Sequence, residues 1–201
     1  MRVDWKNNIY LGAKARPRSH KPPAGFEKSR GYTQLVGSVV KVDPAGGAAI
    51  MAKSPPAGKK GIMAHRYYHK AGEVFLEGAT KLYPGLGIMA GAPGLGPTTC
   101  CCRQPIFDLD GWDRLWIPNA ATYSVQVVDN AGNRIIKFGK YGNVDSRGDV
   151  EGSPVRTPEI PFCWPEAVGV SYRAAYVADA GNRRVVRLKK TYGATESCQI
   201  Q

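Results

Sequence analysis

A pattern of short apolar strands and polar turns occurs at least three times in this chain, and this repetition constrains its fold more than any other feature. The clearest copy has apolar runs at residues 115–117, 124–128 and 135–138. Asp, Asn and Gly occupy residues 129–133, between the last two runs, and these residue types favour a tight turn. The pattern therefore predicts three antiparallel strands joined one after the other.

Two further copies align with this segment. Residues 118–128 match residues 178–188 without a gap, at a shift of sixty positions, and residues 9–11 and 38–47 form an earlier copy. One small sheet cannot bury both of its faces, so repeated sheets are expected to stack face to face. We expect an all-β fold, a partial β-propeller of four-stranded antiparallel blades with long loop insertions.

The last copy, residues 165–188, resembles the core of an NHL repeat. An aromatic strand leads to Asp179, a Gly181–Asn182 pair and Arg183, and an alternating strand follows. In the family that this copy resembles, these turn residues are mainly structural. The resemblance implies the same for all the repeat-turn residues, which are Asp129, Asn130, Gly132, Asp179, Asn182 and Arg183.

The resemblance weakens towards the N-terminus. Residues 107–141 have Asn119 and Tyr123 where the repeat has Asp and Arg, and residues 3–47 match only distantly. NHL-type propellers close with about six blades, and three copies are too few for that ring. The resemblance thus implies either a piece of a longer parent or a partial ring that self-associates to complete itself.

The copies divide the chain into repeats and insertions within one domain, residues 1–201. The expected copies are residues 1–50, 105–143 and 165–201, and the expected insertions are residues 13–36, 48–104 and 144–164. No apolar run approaches the roughly 18 residues of a membrane helix, so no membrane span is expected. The first 25 residues lack the apolar core of a signal peptide. A longer secreted parent would place the protein outside the cytoplasm.

Positive charge is concentrated in the first 70 residues. The formal net charge is +12, and these residues hold 14 Lys and Arg against 3 Asp and Glu. A basic segment attracts phosphates or anionic surfaces. Basic and aromatic side chains of the first insertion form a candidate ligand-binding surface on the loop face: Arg16, Arg18, Lys21, Phe26, Lys28, Arg30 and Tyr32. The alternative interpretation is a solvated set of basic loops.

The cysteines allow three interpretations. They are Cys100, Cys101, Cys102, Cys163 and Cys198. One of the three consecutive thiols can pair with Cys163 or Cys198 in an oxidising compartment, which makes all five disulfide candidates. Thiolates, with His65 and His69, are also ligands for a soft metal, although no common zinc spacing is present. Buried, unpaired cysteine is the third interpretation.

Other candidate chemistry has simpler explanations. Asp108, Asp110 and Asp113 surround a glycine as in some calcium loops, but the equivalent turn after Asp4 has no acidic cluster, so a polar hairpin turn explains both. The sequence contains no phosphate-binding P-loop and no nucleophile elbow. We therefore expect no catalytic residues, no bound metal and no cofactor.

The leading hypothesis is a non-enzymatic binding or scaffold module with protein or glycan ligands on its loop face. Two alternatives stay open. Proteins that resemble this chain in their NHL repeats include some that bind RNA on a basic face, which implies a nucleic-acid-binding module. NHL-like rings also include metal-dependent lyases and hydrolases, which would make the chain an enzyme. Fold by itself does not decide among these functions.

Overall fold

A computed structural model of the chain describes residues 1–21, 24–25, 27–28, 36–68, 70–87, 105–143 and 157–191. These residues form 17 β-strands and two three-residue 3₁₀ helices, and none of them lies in an α-helix. The prediction of an all-β protein is confirmed. Within the described ranges, no helix is long and apolar enough to cross a membrane.

Sheet I is a four-stranded antiparallel sheet built mostly from the first copy. Its strands, in spatial order, are β1 (Arg2–Val3), β2 (Ile9–Ala13), β4 (Val36–Val42) and β8 (Ala79–Gly87). In the register of the two central strands, Ile9 lies opposite Val42. The fourth strand pairs with β4 through a bulge between Lys41 and Val42.

Sheet II repeats this arrangement. Its strands are β9 (Asp108–Leu109), β10 (Leu115–Asn119), β11 (Ser124–Val128) and β12 (Arg134–Phe138), paired in sequence order. Leu115 lies opposite Val128, as Ile9 lies opposite Val42, and the fourth strand again bulges beside the last residue of the third. The three predicted strands of the clearest copy are confirmed to within two residues at each end.

Sheet III has three strands, β15 (Pro165–Val170), β16 (Ala174–Asp179) and β17 (Arg184–Lys189). The strand pairing of sheet III matches that of sheet II at the predicted shift of sixty positions. Asn119 pairs with Ser124 in sheet II, and Asp179 pairs with Arg184 in sheet III. Both connections are 3₁₀ helices that end on a residue in the left-handed region, Tyr123 and Arg183, each with φ of 51°. The two copies therefore share backbone conformation as well as sequence.

A side sheet interrupts the first copy. It contains β3 (Ala15–Pro17), β5 (Ala49–Met51), β6 (Gly61–Tyr68) and β7 (Lys70–Glu77), in the spatial order β3-β6-β7-β5. The sequence pattern predicts the first copy to end near residue 50 and an insertion at residues 48–104, but β8, which lies in that range, joins sheet I after the side sheet. Pro84 is tolerated in this strand because β8 is the edge of its sheet. A short parallel pair, β13 (Lys140–Tyr141) and β14 (Pro161–Phe162), lies between sheets II and III in sequence.

The sheets stack face to face in the order side sheet, sheet I, sheet II, sheet III. Between sheets I and II lie Tyr10, Val39, Tyr83, Leu86, Phe107, Leu115, Ile117 and Val128. Between sheets II and III lie Trp116, Val125, Val127, Phe162, Val168, Ala175 and Val177. The side sheet covers the other face of sheet I with Ala15, Ala64, Val74 and Leu76. Each sheet thus buries a face that it could not bury alone.

Candidate functional site

A buried aspartate organises the first turn of sheets I and II. In sheet II, Asp110 Oδ1 accepts hydrogen bonds from the backbone N–H groups of Trp112 (3.0 Å) and Arg114 (3.1 Å). Its Oδ2 accepts from Arg114 Nε (2.7 Å) and from the indole Nε1 of Trp116 (3.1 Å). Asp4 does the same in sheet I, with Tyr10 in the position of Trp116. The carboxylate therefore closes the turn and anchors the central strand.

These hydrogen bonds also determine the ionisation of the two carboxyl groups. Burial acts to raise the pKa of Asp110, but hydrogen bonds from Arg114, Trp116 and Trp112 outweigh burial and lower it. The pKa of Asp4 is lowered in the same way by Asn8, Tyr10 and Lys6. Because the pKa is lower in the folded state, each carboxylate stabilises the fold above its unfolded pKa of about 4. This stabilisation is lost as pH falls through the folded-state pKa.

We expect the Asp110→Asn variant to be clearly less stable than the wild type at pH 7 and closer to it at pH 3. The neutral amide cannot accept the charge-assisted bond from Arg114. At pH 3, below the unfolded pKa, the wild type has lost part of the stabilisation that the lowered pKa of Asp110 provides. Urea unfolding at both pH values measures the difference. A stability difference that stays constant from pH 7 to pH 3 would contradict an ionised role for Asp110.

The first turns also carry large aromatic side chains that point outward. Trp5, Trp112 and Tyr172 lie in the turns β1–β2, β9–β10 and β15–β16, and each is at least half exposed. The rings of Trp112 and Tyr172 contact each other across two sheets, with centroids 5.8 Å apart and planes tilted by 32°. We call this end of the stack, defined by Trp5, Trp112 and Tyr172, the aromatic end. Exposed aromatic clusters of this kind mark interaction sites.

Cationic side chains pack on these rings. The Arg114 guanidinium lies 4.7 Å from the centre of the Trp112 ring, and Lys190 Nζ lies 5.8 Å from it. Lys190 is further fixed by a 2.9 Å hydrogen bond to the carbonyl of Ser171. On sheet I, Lys6 Nζ lies 4.7 Å from the ring of Trp5. Cation–π contacts orient these rings without covering them.

An inter-sheet cleft adjoins Trp112. It has a volume of about 610 Å³ and opens between sheets II and III, which is within the range of small-ligand sites. Its apolar lining includes Ile136, Phe138 and Leu188, and its polar lining includes Arg114, Glu159 and Lys190. Arg114 and Lys190 therefore line the cleft and also pack on the Trp112 ring of the aromatic end. Together the two features form one surface with stacking rings, an apolar floor and hydrogen-bonding groups of both signs.

The predicted basic surface lies elsewhere, at the side sheet. Arg16 is in β3 opposite His65, and Arg18 Nη2 lies 2.7 Å from Glu73 Oε2 in an ion pair. Lys21 and Lys28 are exposed. Phe26, Arg30 and Tyr32 lie outside the described residues. Since the side sheet and the cleft are separated by sheets I and II, Arg16 and Arg18 do not join the cleft. The role of the predicted surface in binding stays a prediction.

The repeat-turn residues of sheet II lie at the contact with sheet I. Asn133 donates its backbone and side-chain N–H groups to Asp129, and Gly132 has φ of +86°, which a side chain would strain. Asn130 Oδ1 accepts a hydrogen bond from the hydroxyl of Tyr10 (3.1 Å).

The repeat-turn residues of sheet III surround a fully buried carboxylate. Asp179 Oδ1 accepts the backbone N–H groups of Cys163 and Trp164, and Oδ2 accepts from the side chains of Asn182 and Arg184. Asn182 also donates to the carbonyl of Gly142, which links the turn to the segment after β13. Arg183 supplies the left-handed residue that ends the 3₁₀ helix.

The described residues show neither a disulfide nor a metal-binding cluster. Cys163 makes no disulfide within them, and burial, followed by the charge of Asp179, raises the pKa of its thiol. The other four cysteines, Cys100, Cys101, Cys102 and Cys198, lie outside these residues, as does His69. In the described part of the chain, no group of three or more His, Cys, Asp and Glu side chains could hold a metal ion. Asp108 instead pairs with Arg2 at 2.6 Å.

The aromatic end is not among the sequence-based predictions, which place binding on the basic first insertion. The signal for it is an aromatic residue in the first turn of every copy. The contact between Trp112 and Tyr172 also depends on how two sheets stack, which the repeat predicts only in outline. In comparisons with known proteins, no family model and no curated protein matches this chain.

Proposed function

We propose that this chain is part of an NHL-like β-propeller and serves as a non-enzymatic binding module for a glycan. The ligand lies across the aromatic end and enters the inter-sheet cleft. The observation that carries this proposal is the exposed pair of Trp112 and Tyr172 beside a cleft lined by Arg114, Lys190 and Glu159. The propeller assignment is supported by sheets I and II having the same strand order and register, and by the resemblance of the last copy to an NHL repeat.

Sugar rings match this surface chemically. The C–H groups on one face of a pyranose pack against the electron-rich face of an aromatic ring, and the ring hydroxyls need charged or amide partners. Trp112 and Tyr172 supply the faces, and Arg114, Lys190 and Glu159 supply the polar partners. The packed rings lose little conformational freedom on binding, so the ordering cost is small.

Local charge favours a glycan over a nucleic acid at this place. Arg114 lies 2.7 Å and Lys190 3.9 Å from Asp110 Oδ2, so a carboxylate already offsets their positive charge. Asp113 adds a further negative charge in the same turn. Nucleic-acid sites use positive charge that is available to phosphates. The chain's net charge of +12 instead reflects its first 70 residues.

Titration with soluble oligosaccharides tests the proposal. We expect oligomers of glucose, xylose or N-acetylglucosamine to quench tryptophan fluorescence and to shift backbone amide resonances near Trp112 and Tyr172. Trp112→Ala and Tyr172→Ala should each weaken binding by about tenfold, the loss of one stacking contact. Tyr176→Ala removes another exposed aromatic of sheet III and should leave saccharide binding unchanged.

The same titration with a single-stranded RNA oligonucleotide distinguishes the alternative. RNA binding that weakens steeply with salt, with no response to any saccharide at millimolar concentration, would replace the glycan proposal. Equal effects of Tyr176→Ala and Tyr172→Ala on saccharide binding would place the ligand away from the aromatic end.

A further inference from the structure

The outer face of sheet III carries residues at the positions by which sheets I and II pack against the next sheet. Tyr10, Trp116 and Tyr176 occupy the same position in sheets I, II and III, opposite Lys41, Val127 and Arg187 on the next strand. Tyr10 is 0% exposed and Trp116 8%, because the next sheet covers each of them, whereas Tyr176 is 41% exposed. The equivalent residues Val39 and Val125 are fully buried, and Val185 is 66% exposed.

The first of these interfaces shows what the tyrosine and the cation do. The Tyr10 hydroxyl lies 3.1 Å and Lys41 Nζ 3.5 Å from Asn130 Oδ1, in the turn of residues 129–133 of sheet II. Lys41 also stacks on the Tyr10 ring, with Nζ 5.4 Å from its centre. Tyr83 completes the contact by donating to the carbonyl of Asn130 (2.9 Å). A tyrosine–cation pair thus holds an oxygen-rich turn of the neighbouring sheet.

Sheet III has an equivalent tyrosine–cation pair, but in the described part of the chain no turn of a neighbouring sheet contacts it. Tyr176 and Arg187 are cross-strand neighbours like Tyr10 and Lys41, and both are exposed in the described part of the chain. We propose that this face, defined by Tyr176, Val185 and Arg187, docks an antiparallel sheet of a partner protein. The partner presents aliphatic side chains to Tyr176 and Val185, and a turn of the Asp-Asn-x-Gly type to Arg187. This surface is separate from the glycan site and does not depend on it.

A second copy of this chain does not meet these requirements. Two such faces brought together would oppose Arg187 and Lys189 of one copy to the same cations of the other, and like charges at an interface cost several kcal/mol. The complementary face of sheet I, which a head-to-tail copy would need, is covered by the side sheet. A second copy therefore does not fit this face, and the occupant that we propose is a sheet of a different protein.

A cyclic hairpin peptide with the sequence of residues 124–138, closed by a disulfide added at its ends, is the probe. It presents the turn that Tyr10 and Lys41 hold within the molecule. Titrated into the ¹⁵N-labelled full chain, it should shift amide resonances of β16 and β17 at high-micromolar to millimolar concentration. Tyr176→Ala and Arg187→Ala should each weaken binding about tenfold, as should the change Asn130→Ala within the peptide.

Tyr172→Ala is the matched control, because Tyr172 is an exposed tyrosine in the β15–β16 turn that lies off this face, and it should leave binding of the hairpin peptide unchanged. Because Tyr176 and Arg187 are exposed, their variants should keep the dispersed amide spectrum of the wild type. Shifts confined to other sheets, or no shift at millimolar peptide with its hairpin verified by NMR, would overturn the proposal. A dimer in sedimentation equilibrium that Tyr176→Ala dissociates would overturn the choice of a foreign partner and identify a second copy as the occupant.

Discussion

Replacing Asp179 by alanine is expected to lower the free energy of unfolding by about 3–4 kcal/mol, since two or three buried donors would each lose their acceptor. The carboxylate is fully buried. It accepts the N–H groups of Cys163 (3.0 Å) and Trp164 (2.8 Å), which have no other acceptor among the described residues, and the Asn182 amide (2.6 Å). The Arg184 side chain is 42% exposed, so its guanidinium can return to water and adds little to the loss.

Urea denaturation at pH 7 measures this loss, and Asp43→Ala is the matched control. Asp43 also caps a turn of the repeat, by accepting the backbone N–H of Ala45 at 2.9 Å, but it is exposed. Its replacement should cost about 1 kcal/mol. If Asp179→Ala and Asp43→Ala proved equally mild, Asp179 would not be the residue that ties β14 and β15 to the turn of residues 180–183.

The repeat predicted those parts of the fold that local sequence determines. Alternating apolar residues and Asx–Gly turns fix where strands begin, where they turn and which side chains face the same way. For this reason the two segments that match at a shift of sixty positions also have the same cross-strand pairing. Asn119 lies opposite Ser124, and Asp179 lies opposite Arg184. The two segments also share a left-handed residue at the matching position, Tyr123 and Arg183.

Features that depend on distant segments were not predicted. Sheet I receives β8 only after the side sheet has been completed, and a Pro-Gly pair inside β8 reads locally as a loop. The pairing of β8 with β4, in which Val39 lies opposite Tyr83, shows that this strand belongs to the first copy. The site has the same limitation, because Trp112 and Tyr172 are sixty positions apart and become neighbours through the stacking of sheets II and III.

Tyr10 provides the most direct test of that stacking. It is fully buried between sheets I and II, where it packs with Tyr83, Leu115 and Ile117, and its hydroxyl bonds Asp4 and Asn130 at 3.1 Å each. Burial, with the nearby Tyr83 and Asp4, raises the pKa of the hydroxyl, so it remains a donor at neutral pH. Tyr10→Ala should cost about 3–5 kcal/mol by creating a cavity, and Tyr10→Phe about 1 kcal/mol by removing the donor.

Tyr176→Ala is the control that the repeat itself supplies, because Tyr176 has the same position in sheet III but no sheet over it in the described part of the chain. Its replacement should change stability by no more than about 0.5 kcal/mol, as for an ordinary surface residue. Thermal or urea unfolding of the three variants measures the contrast. One repeat position would thus be essential where the next sheet covers it and dispensable where its face is open. Similar losses from Tyr10→Ala and Tyr176→Ala would mean that burial by a neighbouring sheet is not what makes this position stabilising, and the docking face on sheet III would lose its rationale as well.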